Sequence, residues 1–236
     1  MCTFSFLNFQ FINYELRMKE ILLVDESSPL ELHYYQGGEI SVYDTTEVSS
    51  NIGRTITVSN NTHLTWYGLA QGTGNYSLNF ITESGESLIR NLLLASSDEK
   101  LSVSIHSILT HSNTVTNIHI LSLVGESGNI TLNGTVQIDA NISKVKGHIL
   151  EENIFLGSKG NIRGIPALLV HSDDVEAGHA ARIERISDEK LYYLRSRGIP
   201  RDDASVMMIQ SAVLSLFEGL PEEKKEEIMQ RVLQIF

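Results

Sequence analysis

A chain of 236 residues with 18 basic and 29 acidic side chains carries a formal charge of −11, which excludes a surface built to grip nucleic-acid phosphates, since that needs clustered Lys and Arg. Its single cysteine, Cys2, excludes a disulfide framework, a thiolate zinc site and a cysteine cage for a metal cluster, and a reducing cytoplasm is the plain reading. No apolar run approaches the roughly 18 residues of a membrane span, and the length suits one sizeable domain, or one with a small appendage.

The chain opens on a Phe-rich stretch, with Phe4, Phe6, Phe9 and Phe11, that has no basic n-region and no small-residue cleavage site, so it does not read as a signal peptide. Met18-Lys19-Glu20 has the look of a natural start, which leaves residues 1–17 as a mis-assigned beginning or an extra arm whose alternating Phe pairs suit an edge strand. From Ile21 to Ile186 the sequence reads as many short strands, among them 39–43, 64–67, 88–94, 101–105, 116–123, 129–132, 135–138 and 148–150. They are rich in Val, Ile, Leu and Thr and are separated by Gly, Asn, Ser and Asp. No helical periodicity lasts long enough to supply α/β crossovers, so a sandwich, a barrel and a solenoid remain open. Few Asn-Gly hairpin turns separate the strands. The late glycines Gly134, Gly147, Gly164 and Gly178 recur at intervals of 13, 17 and 14 residues, a loose period that stacked coils with variable corners would give.

Residues 187–236 read as helical. Ser187 is a fitting N-cap, Asp188 and Glu189 suit the first turn, and Gly198 followed by Pro200 ends the helix. Beyond Pro200, placed to open the next helix at its first position, Val206, Ile209, Val213, Leu216 and Phe217 form one apolar stripe. After Gly219 and Pro221, Ile228, Val232 and Ile235 form a second. The expected arrangement is a three-helix cap over the open end of the β region, with Met207, Met208 and Met229 widening its apolar faces into an adaptable docking surface.

Between these regions lies the stretch from Gly164 to Pro200. Ala167–Val170 reads as a short buried strand. Glu176–Ala181 reads as the link to the first helix, with His179 set among Ala177, Gly178, Ala180 and Ala181, so that another segment or molecule must cover the imidazole. The order Pro166-Ala167-Leu168, then Asp174-Val175 with His179 and Ala181, then Asp188, Tyr193-Leu194 and Ser196-Arg197-Gly198-Ile199 resembles the signature of the SufB/SufD family, the scaffold proteins of the SUF iron–sulfur cluster assembly machinery. The resemblance is specific over this stretch and weaker back to Asn129 and on to the end.

The resemblance implies a mainly β fold, a right-handed parallel β-helix (β-solenoid) over residues 18–186 with a C-terminal α-helical subdomain over 187–236. It implies a cytoplasmic, non-catalytic scaffold subunit that pairs with a SufB-like subunit or with itself as a homodimer. The tail would dock a SufC-like ATPase through Tyr193, Leu194, Arg197, Gly198, Val206 and Ile209. No cofactor is expected to be bound permanently, although iron or an iron–sulfur cluster would pass through the complex. His179 and Glu176 are the candidate metal ligands, since imidazole and carboxylate together suit iron. His179, Gly178 and Asp174 are the candidate subunit interface. Two departures matter. The SufB branch carries a cysteine where this chain has the region of Gly160, and many SufD members carry one where it has Ala177. A persulfide sulfur acceptor needs a thiol, so the chain resembles the SufD-type partner.

Signatures of catalysis are missing: no phosphate-binding G-x-x-x-x-G-K-[ST] loop, no G-x-S-x-G elbow and no H-E-x-x-H helix. His106, His111 and His119 read as structural or surface residues. The alternative from another class is an extracellular β-helix module that binds or cleaves carbohydrate, which would need paired carboxylates or exposed aromatics such as Trp66-Tyr67 on the solenoid face.

Overall fold

The computed structural model of the chain describes residues 21–25, 27–34, 37–186 and 188–235. The expectations for residues 1–17 and for the Ser187 cap lie outside them. The strands are β1 (Ile21–Val24), β2 (Glu31–Tyr34), β3 (Gly38–Asp44), β4 (Glu47–Val48), β5 (Asn51–Val58), β6 (Thr62–Gly72), β7 (Gly74–Thr82) and β8 (Gly85–Ala95), followed by β9 (Lys100–Leu109), β10 (Val115–Val124), β11 (Asn129–Ile138), β12 (Val145–Phe155), β13 (Asn161–Gly164), β14 (Ala167–Val170) and β15 (Val175–Arg185). The helices are α1 (Asp188–Ser196), α2 (Arg201–Leu216) and α3 (Glu222–Leu233).

Every strand pairing is parallel, and successive strands alternate between two sheets except that β4 follows β3 in one and β14 follows β13 in the other. One sheet runs β1-β3-β6-β8-β10-β12-β15, with β4 beside β6; the other runs β2-β5-β7-β9-β11, with β13 and β14 both paired to β11. This is a parallel β-helix. Its coils lengthen along the chain, from 20 residues where Ile21 faces Ser41 to 32 where Asn129 faces Asn161. The glycine intervals noted in the sequence are therefore half-coils, the distance from one sheet to the other. Alternation along each strand sends one set of side chains into the solenoid. In β6, β8, β10 and β12 the ladder Trp66, Ile89, Ile118 and Ile149 is buried inside, and Trp66 packs edge-on against Phe80 of the opposite sheet at 5.4 Å. At the other end, the fully buried Arg54 donates to the carbonyls of Asp25, Ser28 and Pro29, tying down the loop there.

Several expectations are corrected. Residues 129–132 and 135–138 form one strand, β11, because Asn133-Gly134 continue its pairing with β9. The link at 176–181 is part of an eleven-residue strand, β15; its Gly and Ala have weak strand preference, and the ladder with β12 overrides it. The strand at 167–170 lies at the sheet edge, with Leu169 and Val170 exposed. Pro200 and Pro221 are the N-caps of α2 and α3, one place ahead of the first helical residue.

The helical tail does not close the open end. It folds back along the flank of the larger sheet. Ile209, Val213, Leu216, Phe217, Ile228 and Val232 share a second core with the outward-facing Leu69, Leu92, Leu94, Leu121 and Leu123. The seam is keyed by polar contacts: Tyr67 donates to the Glu218 carbonyl at 2.9 Å, and Arg90 to the Leu216 carbonyl at 3.1 Å. Gly219 turns there with φ +98, and a Cβ on it would lie 2.6 Å from the Tyr67 hydroxyl oxygen, so both backbone and space call for glycine. Trp66 inside the solenoid and Tyr67 under the helices are therefore not an exposed aromatic face for carbohydrate.

Candidate functional site at the open end of the solenoid

β15 is the last strand of its sheet. It pairs with β12 from Val145 opposite Val175 to Phe155 opposite Arg185, and its other edge pairs with no strand among the described residues. Of the buried residues of β12, Ile154 lies on one face in the second core, and Val145, Gly147, Ile149, Glu151 and Asn153 lie at alternate places on the other. Their register partners Val175, Ala177, His179, Ala181 and Ile183 therefore face the solenoid interior from the last coil. No coil lies beyond them among the described residues, and apolar side chains at this end reach solvent: Ile183 is 56% exposed, Leu169 45%, Val170 42% and Ile165 72%. An unpaired strand edge beside apolar side chains is a template for pairing with another strand.

His179 is fixed from the opposite sheet. Its Nδ1 lies 3.1 Å from the Pro166 carbonyl oxygen. A carbonyl only accepts, so Nδ1 donates this bond, and Nε2 is the nitrogen left to meet a metal. Pro166 belongs to a break in the smaller sheet. β11 is continuous, but β13 pairs with its first part through Leu132–Gly164, and β14 with its last part from Thr135–Ala167. Asn133-Gly134 thus face Ile165-Pro166 across a gap in the ladder, and Pro166 has no N–H to close it.

The other candidates lie elsewhere. Glu176 is on the opposite face of β15 from His179, in an ion pair with Lys146 at 2.7 Å. The bond from that ammonium holds its carboxyl below the usual range. The structure does not bring Glu176 and His179 together. Asp174 precedes the strand, and its Oδ2 accepts from the Lys144 amide at 3.2 Å. Gly178 faces outward, where a Cβ would stand 3.2 Å from the His148 ring. Among the described residues no three His, Cys, Asp or Glu side chains converge on one metal position.

Outward residues of β8, β10, β12 and β15 line an open groove beside the end of α2, with Arg90, His119, His148 and Gly178 among them. His119 Nε2 lies 2.7 Å from Glu152, which also pairs with Arg182. His106 is part-buried, and that burial lowers its pKa. His111 is exposed and bonds Thr110.

On the tail, Tyr193 is exposed and the Arg197 guanidinium stacks over its ring at 5.3 Å. Gly198 adopts φ +88 at the end of α1, and Leu194 and Val206 are half-buried. Ile209 is buried against the solenoid flank, so of the six residues expected to dock an ATPase it offers no surface.

Sequence reasoning missed Glu151. It reads as one more acidic residue in Glu151-Glu152, yet it faces inward with no exposure, while Glu152 faces outward. Burial pushes its pKa up to about 7, and the backbone at Gly134 offsets that only in part. The available signal was parity: Glu151 is an even number of places from Gly147 and Ile149 in the same strand.

A parallel β-helix left open at its last coil, with its helical tail laid along one flank, defines a β-solenoid scaffold class. The chain belongs to the SufBD family, since a family model described as "SUF system FeS cluster assembly, SufBD core domain" matches residues 22–212. It is 32% identical over 114 residues to the iron–sulfur cluster assembly protein SufD of Escherichia coli K12, covering 48% of this chain and 27% of that protein. It is 32% identical over 109 residues to SufD of Bacillus subtilis 168, covering 46% and 25%. To an iron–sulfur cluster assembly SufBD family protein of Archaeoglobus fulgidus it is 27% identical over 157 residues, covering 66% and 42%. The matches thus span a quarter to two-fifths of these relatives' lengths. No helix among the described residues is long and apolar enough to cross a membrane.

Proposed function

We propose that this chain is a non-catalytic scaffold subunit in iron–sulfur cluster assembly, working in the cytoplasm. Residues 18–186 are its pairing module and 187–236 its docking module. It pairs through the open end of the solenoid, with a SufB-like subunit or a second copy, and a SufC-like ATPase docks on α1 around Tyr193, Leu194 and Arg197. The observation that carries this reading is the unpaired edge of β15, which sets His179, held through Nδ1 by the Pro166 carbonyl, beside exposed apolar side chains. A partner strand added there would satisfy the edge and cover the imidazole. Iron or a cluster is cargo in this reading, and His179 is the residue of this chain that would hold it. With Cys2 as the only thiol and none in the solenoid, sulfur acceptance falls to the partner. ATP-driven movement of the docked subunit would change access to this covered end.

The test is co-purification of the full chain with SufB-like and SufC-like subunits, followed by light scattering. The reading expects an assembly that Ile183→Lys dissociates at the solenoid end and Tyr193→Ala weakens at the ATPase. A chain that stays monomeric alone and with SufB-like protein would overturn the pairing role.

A further inference from the structure

We propose that Glu151 and His179 form a binding site for a single divalent cation inside the last two coils, entered through the break in the smaller sheet at Ile165-Pro166. The proposal rests on the reading of the open end as the metal-handling end and adds a ligand from the solenoid interior.

Four observations converge. Glu151 is fully buried, and beyond the weak approach of the Gly134 backbone its oxygens have no hydrogen-bond partner and no counter-charge among the described residues; the side chain of Asn153, two residues on along the same face, is likewise buried and unpartnered. A buried carboxylate with so little compensation and no counter-charge is costly, and a cation would compensate it.

The carboxyl is held between two glycines of the opposite sheet. A Cβ on Gly134 would lie 2.6 Å from Oε1, and one on Gly164 2.9 Å from Oε2. Any larger residue at either place would fill the room beside the oxygens. Both glycines border the break in the ladder, Gly134 across from it and Gly164 at its start.

His179 shares that space. Ile149 faces His179, and Glu151 faces Ala181. Glu151 and His179 thus stand on adjacent strands, two places apart in register and on the same inward face, a Cα diagonal of about 8 Å that two long side chains can bridge to one ion. The Pro166 carbonyl engages Nδ1 of His179 and leaves Nε2 as the nitrogen to meet an ion, and Ala181 puts only a methyl group beside Glu151 in the last coil. One imidazole nitrogen with carboxylate and amide oxygens suits Mn2+ or Fe2+ better than a soft, thiolate-preferring ion.

The test is titration of the full 236-residue chain with Mn2+ under anaerobic conditions, followed by electron paramagnetic resonance. The wild type should bind one ion per chain. Glu151→Gln, nearly isosteric, should weaken binding at least about 100-fold, and Glu152→Gln, on the outer face, should leave it unchanged. The anomalous scattering peak of Mn2+ in crystals of the wild type should lie between Glu151 and His179, which tests the site without any variant. Absence of binding to the wild type, a peak elsewhere, or unchanged binding in Glu151→Gln would overturn the proposal. Loss of binding in His179→Ala but not in Glu151→Gln would overturn it while leaving the reading of His179 intact. Loss of subunit pairing with Mn2+ binding retained would fail the scaffold reading alone.

Discussion

The flank and the end of this solenoid present the same raw material, rows of β-strand side chains, and treat it in opposite ways. On the flank, Leu92, Leu94, Leu121 and Leu123 face outward and are covered by Ile209, Val213, Phe217 and Val232 of the chain's own tail. At the end, Ile165, Leu169 and Ile183 are left uncovered, beside a strand whose second edge has no partner strand among the described residues. With α2 and α3 laid along its side, the end has no such cover among the described residues. The flank should therefore carry stability, and the end should carry association.

The largest expected effect is on the flank. Phe217→Ala removes a fully buried ring from the second core and should cost about 3–5 kcal/mol in urea denaturation of the isolated chain. A loss under about 1 kcal/mol would mean that the tail does not hold the flank.

A pH effect of intermediate size is expected inside the end. With its pKa raised to about 7 by burial, Glu151 binds its proton more tightly folded than unfolded. Its contribution to stability is complete below its ordinary pKa, is lost as pH rises through about 7, and is flat above that. In chelator, the wild type should therefore lose about 1–3 kcal/mol between pH 4.5 and 7.5 relative to Glu151→Gln. Parallel profiles for the two proteins would place Glu151 in solvent.

At the outer rim the effect should move from stability to association. Ile183→Lys puts a charge on an exposed inward position of the edge strand. It should change unfolding by no more than about 0.5 kcal/mol, yet weaken pairing about tenfold or more, since about 1.4 kcal/mol at an interface is a factor of ten. Analytical ultracentrifugation measures the second quantity. Equal association of variant and wild type would break the contrast between flank and end. The smallest effect belongs to Glu176→Gln, which removes an ion pair between two solvent-exposed side chains. It should leave pairing, folding and Mn2+ binding unchanged, whereas His179→Ala should not.

Much of this was legible before the fold was known. The β-rich chain, the helical tail with its two apolar stripes, and His179 among small residues follow from residue type and spacing, and the family resemblance selected the solenoid from three open architectures. Two kinds of feature were not legible. Helical periodicity identified the apolar face of α2 but not the surface it meets, and that surface is the outward row of leucines on β8 and β10. Residue type flagged Glu176 because it is near His179 in sequence, but one strand carries neighbours of odd separation on opposite faces, so the carboxylate that shares His179's side is Glu151 on the strand before.

The sequence by itself determined most of the local alphabet of this protein, the Val-, Ile-, Leu- and Thr-rich strands and the helical tail, but not the continuity of β11 through Asn133-Gly134 or the extended Gly- and Ala-rich run in β15. Those choices depend on backbone propensity and on side-chain period, both read within a few residues. Only the tertiary structure decided that the tail lies on the flank and not over the end, that β11 faces two strands with a break between them, and that Glu151 is enclosed between Gly134 and Gly164. The first depends on contacts between residues 126 and 151 places apart, and the other two on the register between strands some 30 residues apart, which is set by the packing of the whole coil and which no local window contains.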